Sequence, residues 1–557
     1  MKNKKTLKDR IADLKLSLAV NKGAGGSVFK RMFFMIKRYL AIFAAALAVY
    51  LVLLIMLVEV EKRAAGSTIH DIGQAFWYSL VTLTTIGYGD FYPVTHTGRL
   101  IASVFVILGL GLLGFFVGFM MEFVSYVRPI MQLSLNTAKP WYIFTDQSNY
   151  SMIFAENLKA VRPDALIIYS GTNERGKDSK AISVQWSPTE LLDRRGSLYD
   201  AHLMCMKTNE MENFLDAVKL SDTGVPIVCL ANFTPSHHPM NINFFSLTDC
   251  TARIFWQMYP IKKKHETILL IGFGIAGTVL LDRALELNVM FNDQSIHYHV
   301  FGDSREYCMN RKRLSDIVSV NWLSDTQDSI MFHDTQWNSD EELLGEADRI
   351  ILCSDSEQEN IEILQTLQKF FSFKGEVYIY NSNVRSVATP FGQTRDVLTP
   401  AFVLHNSLTD MALCHHELVR FFSGGNIPLW EELNSQIKDM NYSATDHISL
   451  KVHILLGDKA PCMTFDDISS KILREASEVW NTANKEEKDN FSRLEHVRLM
   501  RFYLLHNYRY ADKSDDDLRY NTLIKPFEEL HDVERQIVDT SWMLLDELAS
   551  HKAAKGR

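Results

Sequence analysis

The chain has 557 residues, of which 47% are hydrophobic and 22% are charged, and its formal net charge is −9. The length suffices for about three or four domains, and the composition excludes both a disordered chain and one wholly embedded in lipid. The acidic balance argues against a nucleic acid as partner, because nucleic-acid-binding proteins are more often basic.

Two apolar stretches in the first quarter of the chain predict membrane-spanning helices. Residues 39–58 and residues 100–121 carry no charged side chain, and each stretch is long enough to cross a hydrocarbon core of about 30 Å as a helix. A buried core helix or a signal peptide is the alternative. The pairing of two such stretches and the long charged tail before the first argue against it.

The charges beside the two stretches predict their orientation. Residues 1–38 carry eleven Lys or Arg against two acids, whereas residues 59–99 carry three against four. Because positive flanks stay inside, we expect a cytosolic N-terminal tail (1–38), an outer segment (59–99) and a cytosolic C-terminus. The protein is therefore predicted to be a multi-pass protein of the cell (inner) membrane with both termini cytoplasmic. Seven cysteines, none at zinc-finger spacing, fit a reducing cytosol.

The outer segment contains a short apolar stretch followed by Gly-Tyr-Gly. Residues 75–83 are too few to span a bilayer, and Asp71 is placed to cap a helix there. The pattern predicts a re-entrant helix that returns through irregular backbone, which membranes allow only where protein or water shields it. Glycine lets consecutive carbonyls point the same way, and a row of carbonyls can replace the water around a cation.

The sequence "TTIGYGD" (84–90), in this context, resembles the selectivity filter of potassium channels. The resemblance implies K+ sites at Thr85, Ile86, Gly87 and Tyr88, with Gly89 and Asp90 at the outer mouth. Some relatives have a glutamate where this chain has Val81, which leaves open how the filter is braced. Since one chain carries one filter, a ring of carbonyls requires several copies, and we expect a homotetramer in the lipid bilayer.

The second apolar stretch contains "GLGLLG" (109–114), which formally fits a phosphate-binding loop but follows no strand. By resemblance to the channels, the gating hinge falls on Gly109, with Gly114 as a second candidate. Close helix packing is the alternative role for both. Glu122 follows the stretch, either as a cation-concentrating group at the pore mouth or as an ordinary interface carboxylate. The ion pore is thus predicted over 39–127, with a linker at 128–139.

From residue 140 onward, short β-branched or aromatic runs alternate with helical segments, and the pattern restarts at Lys264. Such alternation predicts parallel sheets with crossover helices, here one unit at 140–263 and another at 264–425. Two such units behind a channel pore resemble paired RCK domains (regulators of potassium conductance). In that family, the units form a ring beneath the tetramer and ligand binding pulls on the inner helices.

The second unit contains a strand, a glycine loop and a helix in "LLIGFGIAGTVL". The loop residues are predicted to bind a pyrophosphate through backbone amides and the helix start, and they are Gly272, Phe273, Gly274, Ile275, Ala276 and Gly277. Asp303 closes the next strand, where an acid can bind a ribose hydroxyl. We expect NAD(H) or a related adenine nucleotide here as a regulatory ligand, the alternative being an empty Rossmann scaffold. The first unit has "FTDQSNYS" instead, in which Asp146 would crowd a pyrophosphate.

The segment 426–557 is helical and polar, and it resembles the ryanodine-receptor repeat domain of bacterial proteins. The matching positions are Trp430, Asn441, Asp446, His447, Lys451, Glu495, His496, Arg498, Arg501, Tyr508, Asn521, Pro526 and Leu530. A tryptophan expected after Glu495-His496 is replaced by Leu499 or its neighbours. A second sensor and a structural cap on the ring are both open interpretations.

The predicted fold class is a membrane α-helical pore, two spans plus a re-entrant pore helix, followed by two α/β Rossmann-like RCK domains and a mainly α C-terminal domain. The favoured function is a tetrameric potassium channel, not an enzyme, gated by a cytosolic nucleotide. A membrane-anchored NAD-dependent oxidoreductase would explain the glycine loop but not Thr84–Asp90, and no catalytic acid or base stands out beside the nicotinamide position. A non-conducting nucleotide sensor that retains the pore is the third hypothesis.

Overall fold

The computed structural model describes residues 25–171, 181–196, 198–235, 238–319, 327–382, 384, 387–404, 406–425 and 427–555. Residues 1–24 of the predicted basic tail lie outside this set. The chain forms two compact units. The first comprises Met1–Pro140, Ser170–Arg175 and Lys180–Asp200, and the second comprises Trp141–Tyr169, Gly176–Ser179 and Ala201–Arg557.

Three helices make up most of the first unit: α1 (Gly25–Glu61), α2 (Ile72–Leu83) and α3 (His96–Leu135). Among the described residues, one helical stretch, Phe43–Glu61, is long and apolar enough to cross a membrane, and His96–Ile107 is a shorter apolar stretch. The second predicted span, 100–121, falls within α3, where the side chains at 108–110, 112 and 113 lie outside the described residues. The helix α3 continues through Pro129 to Leu135, so most of the predicted linker is helical.

A helix of 12 residues, α2, covers the stretch that the sequence predicts to be a re-entrant helix. Its N-cap is Asp71, whose side chain accepts a hydrogen bond from the Gln74 amide, as the sequence predicts. The three helices enclose a small apolar core that includes Leu57, Ile69, Ala75 and Phe105. This core fixes the short helix between the two long ones.

The first α/β segment runs from β1 to α7. Its elements are β1 (Trp141–Phe144), α4 (Asn149–Val161), β2 (Leu166–Ser170), β3 (Ile182–Val184), α5 (Pro188–Arg195), β4 (Ala201–Cys205), α6 (Glu210–Leu220), β5 (Ile227–Leu230), β6 (Ile242–Phe245) and α7 (Leu247–Met258). In the second unit, its strands pair in parallel in the order β2-β1-β4-β5-β6.

The second α/β segment follows the same plan. Its elements are β7 (His265–Ile271), α8 (Ile275–Leu287), β8 (Ser295–Phe301), α9 (Arg305–Asn310), α10 (Leu314–Val318), β9 (Ser329–His333), α11 (Glu341–Glu346), β10 (Arg349–Leu352), α12 (Glu357–Phe370), β11 (Glu376–Tyr380), β12 (Thr389–Phe391), α13 (Thr394–Val397), α14 (Pro400–Val403) and α15 (Asn406–Phe422). The parallel sheet has the order β12-β11-β10-β7-β8-β9. This is the doubly wound order, with the glycine loop after its first strand, and it confirms the predicted α/β class.

The C-terminal segment is mainly helical, as predicted. Its elements are α16 (Ser435–Asp446), α17 (Ile448–Leu456), α18 (Ser470–Thr482), α19 (Lys485–Leu505), β13 (Arg509–Tyr510), β14 (Tyr520–Asn521) and α20 (Asp532–Lys555). Leu450, Met500 and Leu504 share one buried cluster with Ile268 and Leu280 of the second sheet segment. The C-terminal helices and this sheet therefore share a hydrophobic core.

Candidate functional site

The backbone after α2 alternates in conformation at every second residue. Thr85, Gly87 and Gly89 have φ angles of 59°, 63° and 75°, while Ile86 and Tyr88 between them do not adopt positive φ. A positive φ is costly for residues with a side chain but not for glycine, which explains why positions 87 and 89 are glycine. The amides of Ile86 and Gly87 both donate to the Val81 carbonyl, at 3.0 and 3.3 Å, and so hold the run against the end of α2.

An aromatic side chain of α2 braces this run. The indole Nε1 of Trp77 donates to Asp90 Oδ2 at 2.7 Å. The ring of Trp77 also stacks on Tyr88, with 6.2 Å between centroids and an interplanar angle of 3°. Tyr88 at the centre of Gly-Tyr-Gly and Asp90 just after it are thus tied to one side chain, in a protein that has Val81 instead of a glutamate behind the filter. The sequence analysis did not identify Trp77.

A buried carboxylate at the end of α1 fastens the start of α3. Glu61 is fully buried and accepts hydrogen bonds from the amides of Val94 and Thr95, both at 3.0 Å, and from the Ser67 hydroxyl at 3.2 Å. A Cβ added to Gly98 would lie 2.1 Å from Glu61 Oε1, so only glycine fits there. The sequence analysis counted Glu61 only as an outer-segment charge.

The predicted hinge and mouth residues, Gly109, Gly114 and Glu122, all lie inside α3. A Cβ at Gly114 would meet no atom within 4 Å, so nothing in the described part of the chain packs closely against that glycine. The side-chain position of Glu122 lies outside the described residues. Gly114 follows Gly109 by 5 residues and Glu122 follows Gly114 by 8 residues, all on one continuous helix.

The glycine loop of the second sheet has the predicted strand–loop–helix setting. Gly272 has a φ of +86°, and a Cβ there would lie 2.8 Å from the Ser354 backbone nitrogen. A Cβ at Gly277 would lie 3.0 Å from the Phe273 ring and 3.1 Å from Cys353 Sγ. The first and third glycines therefore serve the tight turn and the close helix–strand packing that this loop type requires.

The start of α8 is already occupied by a carboxylate of this chain. Asp355, which follows β10, accepts hydrogen bonds from the amides of Ile275 at 2.8 Å and Ala276 at 2.9 Å. A Cβ at Gly274 would lie 2.4 Å from Asp355 Oδ2. Asp355 is exposed, so its side chain has room to turn into solvent. The residues fit a pyrophosphate at this helix start on the condition that Asp355 moves away.

Asp303 lies just beyond β8, as the sequence predicts. Its carboxylate is paired with the Arg305 guanidinium, with Oδ2 2.6 Å from Nη2, and both side chains are largely exposed. The hydrogen bond from Arg305 holds the pKa of Asp303 to about 2, so the carboxylate is ionised near neutrality. A ribose hydroxyl would have to share Asp303 with Arg305.

The corresponding loop of the first sheet is closed by its own side chains. Ser148 caps α4, its amide donates to Asp146 Oδ2 at 2.9 Å, and the Ser151 hydroxyl donates to Asp146 Oδ1 at 2.6 Å. An acidic side chain thus lies where the second sheet has glycine. The loop of the first sheet therefore contains no glycine at which a pyrophosphate could approach the backbone closely.

The charged residues among the matching C-terminal positions form a buried charge network rather than an open site. Lys451 Nζ lies 2.6 Å from Glu495 Oε2, and Arg498 Nη2 lies 2.7 Å from Glu495 Oε1. Burial alone would raise the pKa of Glu495, but Arg498 and Lys451 hold it well below its usual value. Further links to the second unit's sheet segments are Arg253–Asp446, Arg501–Asp328 and His447–Leu287.

His415 and His416 of α15 have ordinary hydrogen-bond partners. His415 Nδ1 lies 2.7 Å from Asn441 Oδ1, and His416 Nε2 lies 3.0 Å from the Pro428 carbonyl oxygen. All seven cysteines are unpaired. In the described parts of the chain, no three or more His, Cys, Asp or Glu side chains are arranged to hold a metal ion.

Comparison with known proteins gives a match to the ion channel family over residues 39–126. The chain is 38% identical over 63 residues to the potassium voltage-gated channel protein Shal of Drosophila melanogaster, which is 11% of each protein. It is 39% identical over 54 residues to the calcium-gated potassium channel TvoK of Thermoplasma volcanium, covering 10% of this chain and 16% of TvoK. A cyclic nucleotide-gated potassium channel of Mesorhizobium japonicum is 35% identical over 77 residues, covering 14% of this chain and 19% of the relative.

Comparison with solved structures gives alignments to the GsuK channel. A structure of GsuK bound to ADP aligns over 65% of this chain and 99% of GsuK, with a TM-score of 0.34 and 15% identity. A structure of GsuK bound to NAD aligns over 67% of this chain and 86% of GsuK, with a TM-score of 0.34 and 13% identity. At that level of similarity, the function of the sheet segments must be argued from their own residues. The sequence matches, which span less than a fifth of the curated relatives, identify residues 39–126 as an ion-channel segment similar to parts of potassium channels.

Proposed function

We propose that this protein is a homotetrameric, potassium-selective channel of the cell membrane that is gated by cytosolic ligands. The observation that carries the proposal is the alternating backbone from Thr85 to Gly89, braced by Trp77 through Tyr88 and Asp90. The ion-channel match over residues 39–126 supports it. Both termini are proposed to be cytoplasmic, because the basic residues of segment 1–38 precede the apolar stretch 39–58.

Potassium is the cargo of the filter, and the carbonyl oxygens of Thr85 to Tyr88 would replace its hydration water. One chain supplies one side of such a ring, so four copies around an axis are required. Ile86 and Tyr88 are 55% and 67% exposed in the single chain. Apolar groups so exposed at a narrow loop favour burial against neighbouring copies.

Gating is proposed to act through α3, which leads from the filter to the cytosolic side. A bend at Gly109 or Gly114 would widen the inner end of the pore, since glycine tolerates the required change of backbone angle. Glu122 would then concentrate cations at the cytosolic mouth. Ligand binding shifts such a gate only by its difference in affinity between the open and closed states.

The conduction proposal is tested with the purified full chain in planar bilayers under opposed KCl and NaCl gradients. We expect reversal potentials that follow the potassium gradient. Gly87→Ala is the matched control, because a side chain at φ +63° is strained, and this variant should carry no potassium-selective current. Equal sodium permeability in the wild-type protein contradicts the proposal.

Assembly and orientation are tested separately. Native mass spectrometry in detergent should give four times the monomer mass of 63.9 kDa. Protease added to sealed, right-side-out vesicles should leave the C-terminal segment intact. A dimeric mass, or cleavage of the C-terminal segment from outside, contradicts the assigned assembly or topology.

We further propose that NAD(H) or a related adenine nucleotide is the regulatory ligand at the glycine loop of the second sheet. The pyrophosphate would be bound by the amides that now bond Asp355, with Gly272, Gly274 and Gly277 providing the close approach and Asp303 the ribose contact. No catalytic step is assigned to the nucleotide. When bound, it supplies binding energy that differs between open and closed states.

Isothermal titration with NAD+, NADH, ATP and ADP tests this assignment. Gly274→Ala and Asp303→Ala should each weaken binding, while unitary conductance and selectivity stay unchanged because neither residue belongs to the filter. If wild-type protein binds none of the four, the second sheet is a scaffold. If it binds nucleotide but never conducts, the protein is a membrane-anchored sensor instead of a channel.

For the C-terminal segment we propose a ryanodine-receptor repeat-like domain that caps the second sheet. Support comes from the buried charge network of Lys451, Glu495 and Arg498, whose members contact each other and leave little freedom for a ligand. Trp430 and Pro526 are the matching residues that remain partly accessible. Deleting 426–557 should therefore destabilise the second sheet segment, as measured by limited proteolysis.

A further inference from the structure

A cavity of about 800 Å³ lies within the second unit, apart from the three loop glycines. It is lined by residues of the segments 231–253, 275–286 and 408–506 together with Arg311. Its volume is in the range of sites for small organic molecules. We call it the α8–α16 cavity, because both helices contribute charged side chains to its wall.

The wall of the α8–α16 cavity is acidic. Seven of its side chains are Asp or Glu, and four are Lys or Arg. Its three arginines are already paired with wall carboxylates: Arg253 with Asp249 and Asp446, Arg283 with Asp249 and Glu286, and Arg311 with Asp282. A phosphate or carboxylate ligand would find no free guanidinium there and would meet surplus negative charge.

Two wall carboxylates, Glu431 and Asp439, have no hydrogen bond or ion pair with any residue in the described parts of the chain. Asp439 lies on α16 and is exposed to the cavity. Partial desolvation by the surrounding cavity wall raises the pKa of Asp439 above its usual value, with Asp249 and Glu286 adding to the rise and Arg283 opposing it. A positive charge beside this carboxylate would supply the missing partner.

An aromatic face lies on the same wall. Trp430 and Tyr442 meet edge to face, with 5.9 Å between ring centroids. Lys438 Nζ lies 5.7 Å from the Trp430 ring centroid, so this face already attracts an ammonium group. Rings with this arrangement accept a flat apolar group as well as a nearby cation.

We propose that the α8–α16 cavity binds a small organic cation with a flat ring, its charge on Asp439 and its ring against Trp430 and Tyr442. The arrangement does not suit a metal ion, because the described residues contain no cluster of three metal-ligating side chains. The proposal stands independently of nucleotide binding at the glycine loop. The cavity wall includes Val279 and Arg283 of α8, the helix that begins at that loop.

Three indole compounds of matched ring and different charge test the proposal: tryptamine (cationic), tryptophol (neutral) and indole-3-acetate (anionic). Each is titrated calorimetrically into the full chain in detergent at about pH 8, where the Asp439 carboxylate is mostly ionised. The same titration into empty micelles corrects for partition. We expect tryptamine to bind at least about tenfold more tightly than tryptophol, and indole-3-acetate to bind weakest.

Asp439→Asn keeps the shape of the side chain and removes its charge. It should weaken tryptamine binding about ten- to a hundredfold, to the level of tryptophol, and leave tryptophol unchanged. Asp458→Asn, an exposed carboxylate outside the cavity, is the matched control and should bind like wild type. Because folding raises the pKa of Asp439, its ionised form is disfavoured in the folded state, and the neutral Asn is compatible with folding.

The proposal is overturned if the three compounds bind equally, if the anion binds most tightly, or if none binds at about 10 mM. It is also overturned if Asp439→Asn retains the preference for tryptamine. A weakening of all three compounds together in Asp439→Asn would assign the residue a purely structural role and would equally refute the charge contact.

Discussion

Replacing Asp355 should tighten nucleotide binding at the glycine loop. In the wild type, a phosphate must first displace the Asp355 carboxylate from the amides of Ile275 and Ala276, which lie 2.8 and 2.9 Å away. An exposed carboxylate in such a capping position contributes about 1 kcal/mol, including its attraction to the helix dipole. Removing it should therefore raise the affinity for ADP and NAD+ about fivefold, since 1.4 kcal/mol corresponds to a factor of ten.

The assay is isothermal titration of Asp355→Ala against wild-type full chain with ADP, NAD+ and adenosine. Adenosine lacks phosphate, so its affinity should not change. Asp340→Ala is the matched control, because Asp340 caps α11 of the same sheet segment by accepting from the Leu343 amide at 3.0 Å. Both variants should lose similar stability, while Asp355→Ala alone gains nucleotide affinity.

Unchanged or weaker ADP and NAD+ binding in Asp355→Ala, with Asp340→Ala like wild type, would refute the reasoning. It would show that the amides at the start of α8 are not where phosphate binds. An equal gain for adenosine would also refute it, because the gain would then not involve phosphate.

Three further changes probe the pore and the charge network. Trp77→Phe keeps an aromatic ring but loses the hydrogen bond to Asp90, worth about 1.5–3 kcal/mol, so single-channel recording should show briefer filter openings. Gly98→Ala places a Cβ 2.1 Å from a buried carboxylate oxygen at the end of α1, so the protein should melt at lower temperature by fluorescence-detected size exclusion. Glu495→Gln leaves two buried cations without their anion and should lower the free energy of unfolding by about 3–5 kcal/mol in urea.

The controls are changes of the same kind at open positions. Gly111→Ala adds a Cβ that meets nothing within 4 Å, so it should melt like wild type. Glu475→Gln removes an exposed carboxylate 3.8 Å from Lys471 and should cost less than about 1 kcal/mol. Equal effects of each test variant and its control would contradict the assigned contacts, as would Trp77→Phe channels that gate like wild type.

The Glu495 contacts also predict a pH dependence. Because the pKa of Glu495 is lower in the folded than in the unfolded chain, its contribution to stability is present above about pH 4. The contribution is lost as the pH falls through the folded pKa, and Glu495→Gln should lose less stability over that range. Urea unfolding of both proteins between about pH 3 and pH 7 measures the difference.

Features encoded in short stretches were predictable from the sequence. The helix cap at Asp71 and the strand–loop–helix around Gly272 depend on neighbours within a few residues, and both are present. The doubly wound sheet follows from the alternation of apolar runs and helices. In each case, the local pattern is sufficient to predict that the element is present.

Contacts between distant parts of the chain were not predictable in this way. Asp355 lies 80 residues from the amide of Ile275, and no feature of the glycine motif points to it. Glu61 lies 33 residues before Val94, and only the packing of α1 against α3 reveals why it is buried. The hydrogen bond between Trp77 and Asp90 could have been predicted from the sequence, since an indole and a carboxylate flank the filter at a separation of 13 residues.

The core shared by the C-terminal helices and the second sheet has a consequence for how this protein tolerates change. Because Leu450 and Met500 pack in the same cluster as Ile268 and Leu280, substitutions on the two sides of residue 426 should interact in double-mutant cycles. The C-terminal segment should therefore not be exchangeable between homologues as a separate module. A chimera would keep its fold only if the sheet-side residues of that cluster were transferred together with the helices.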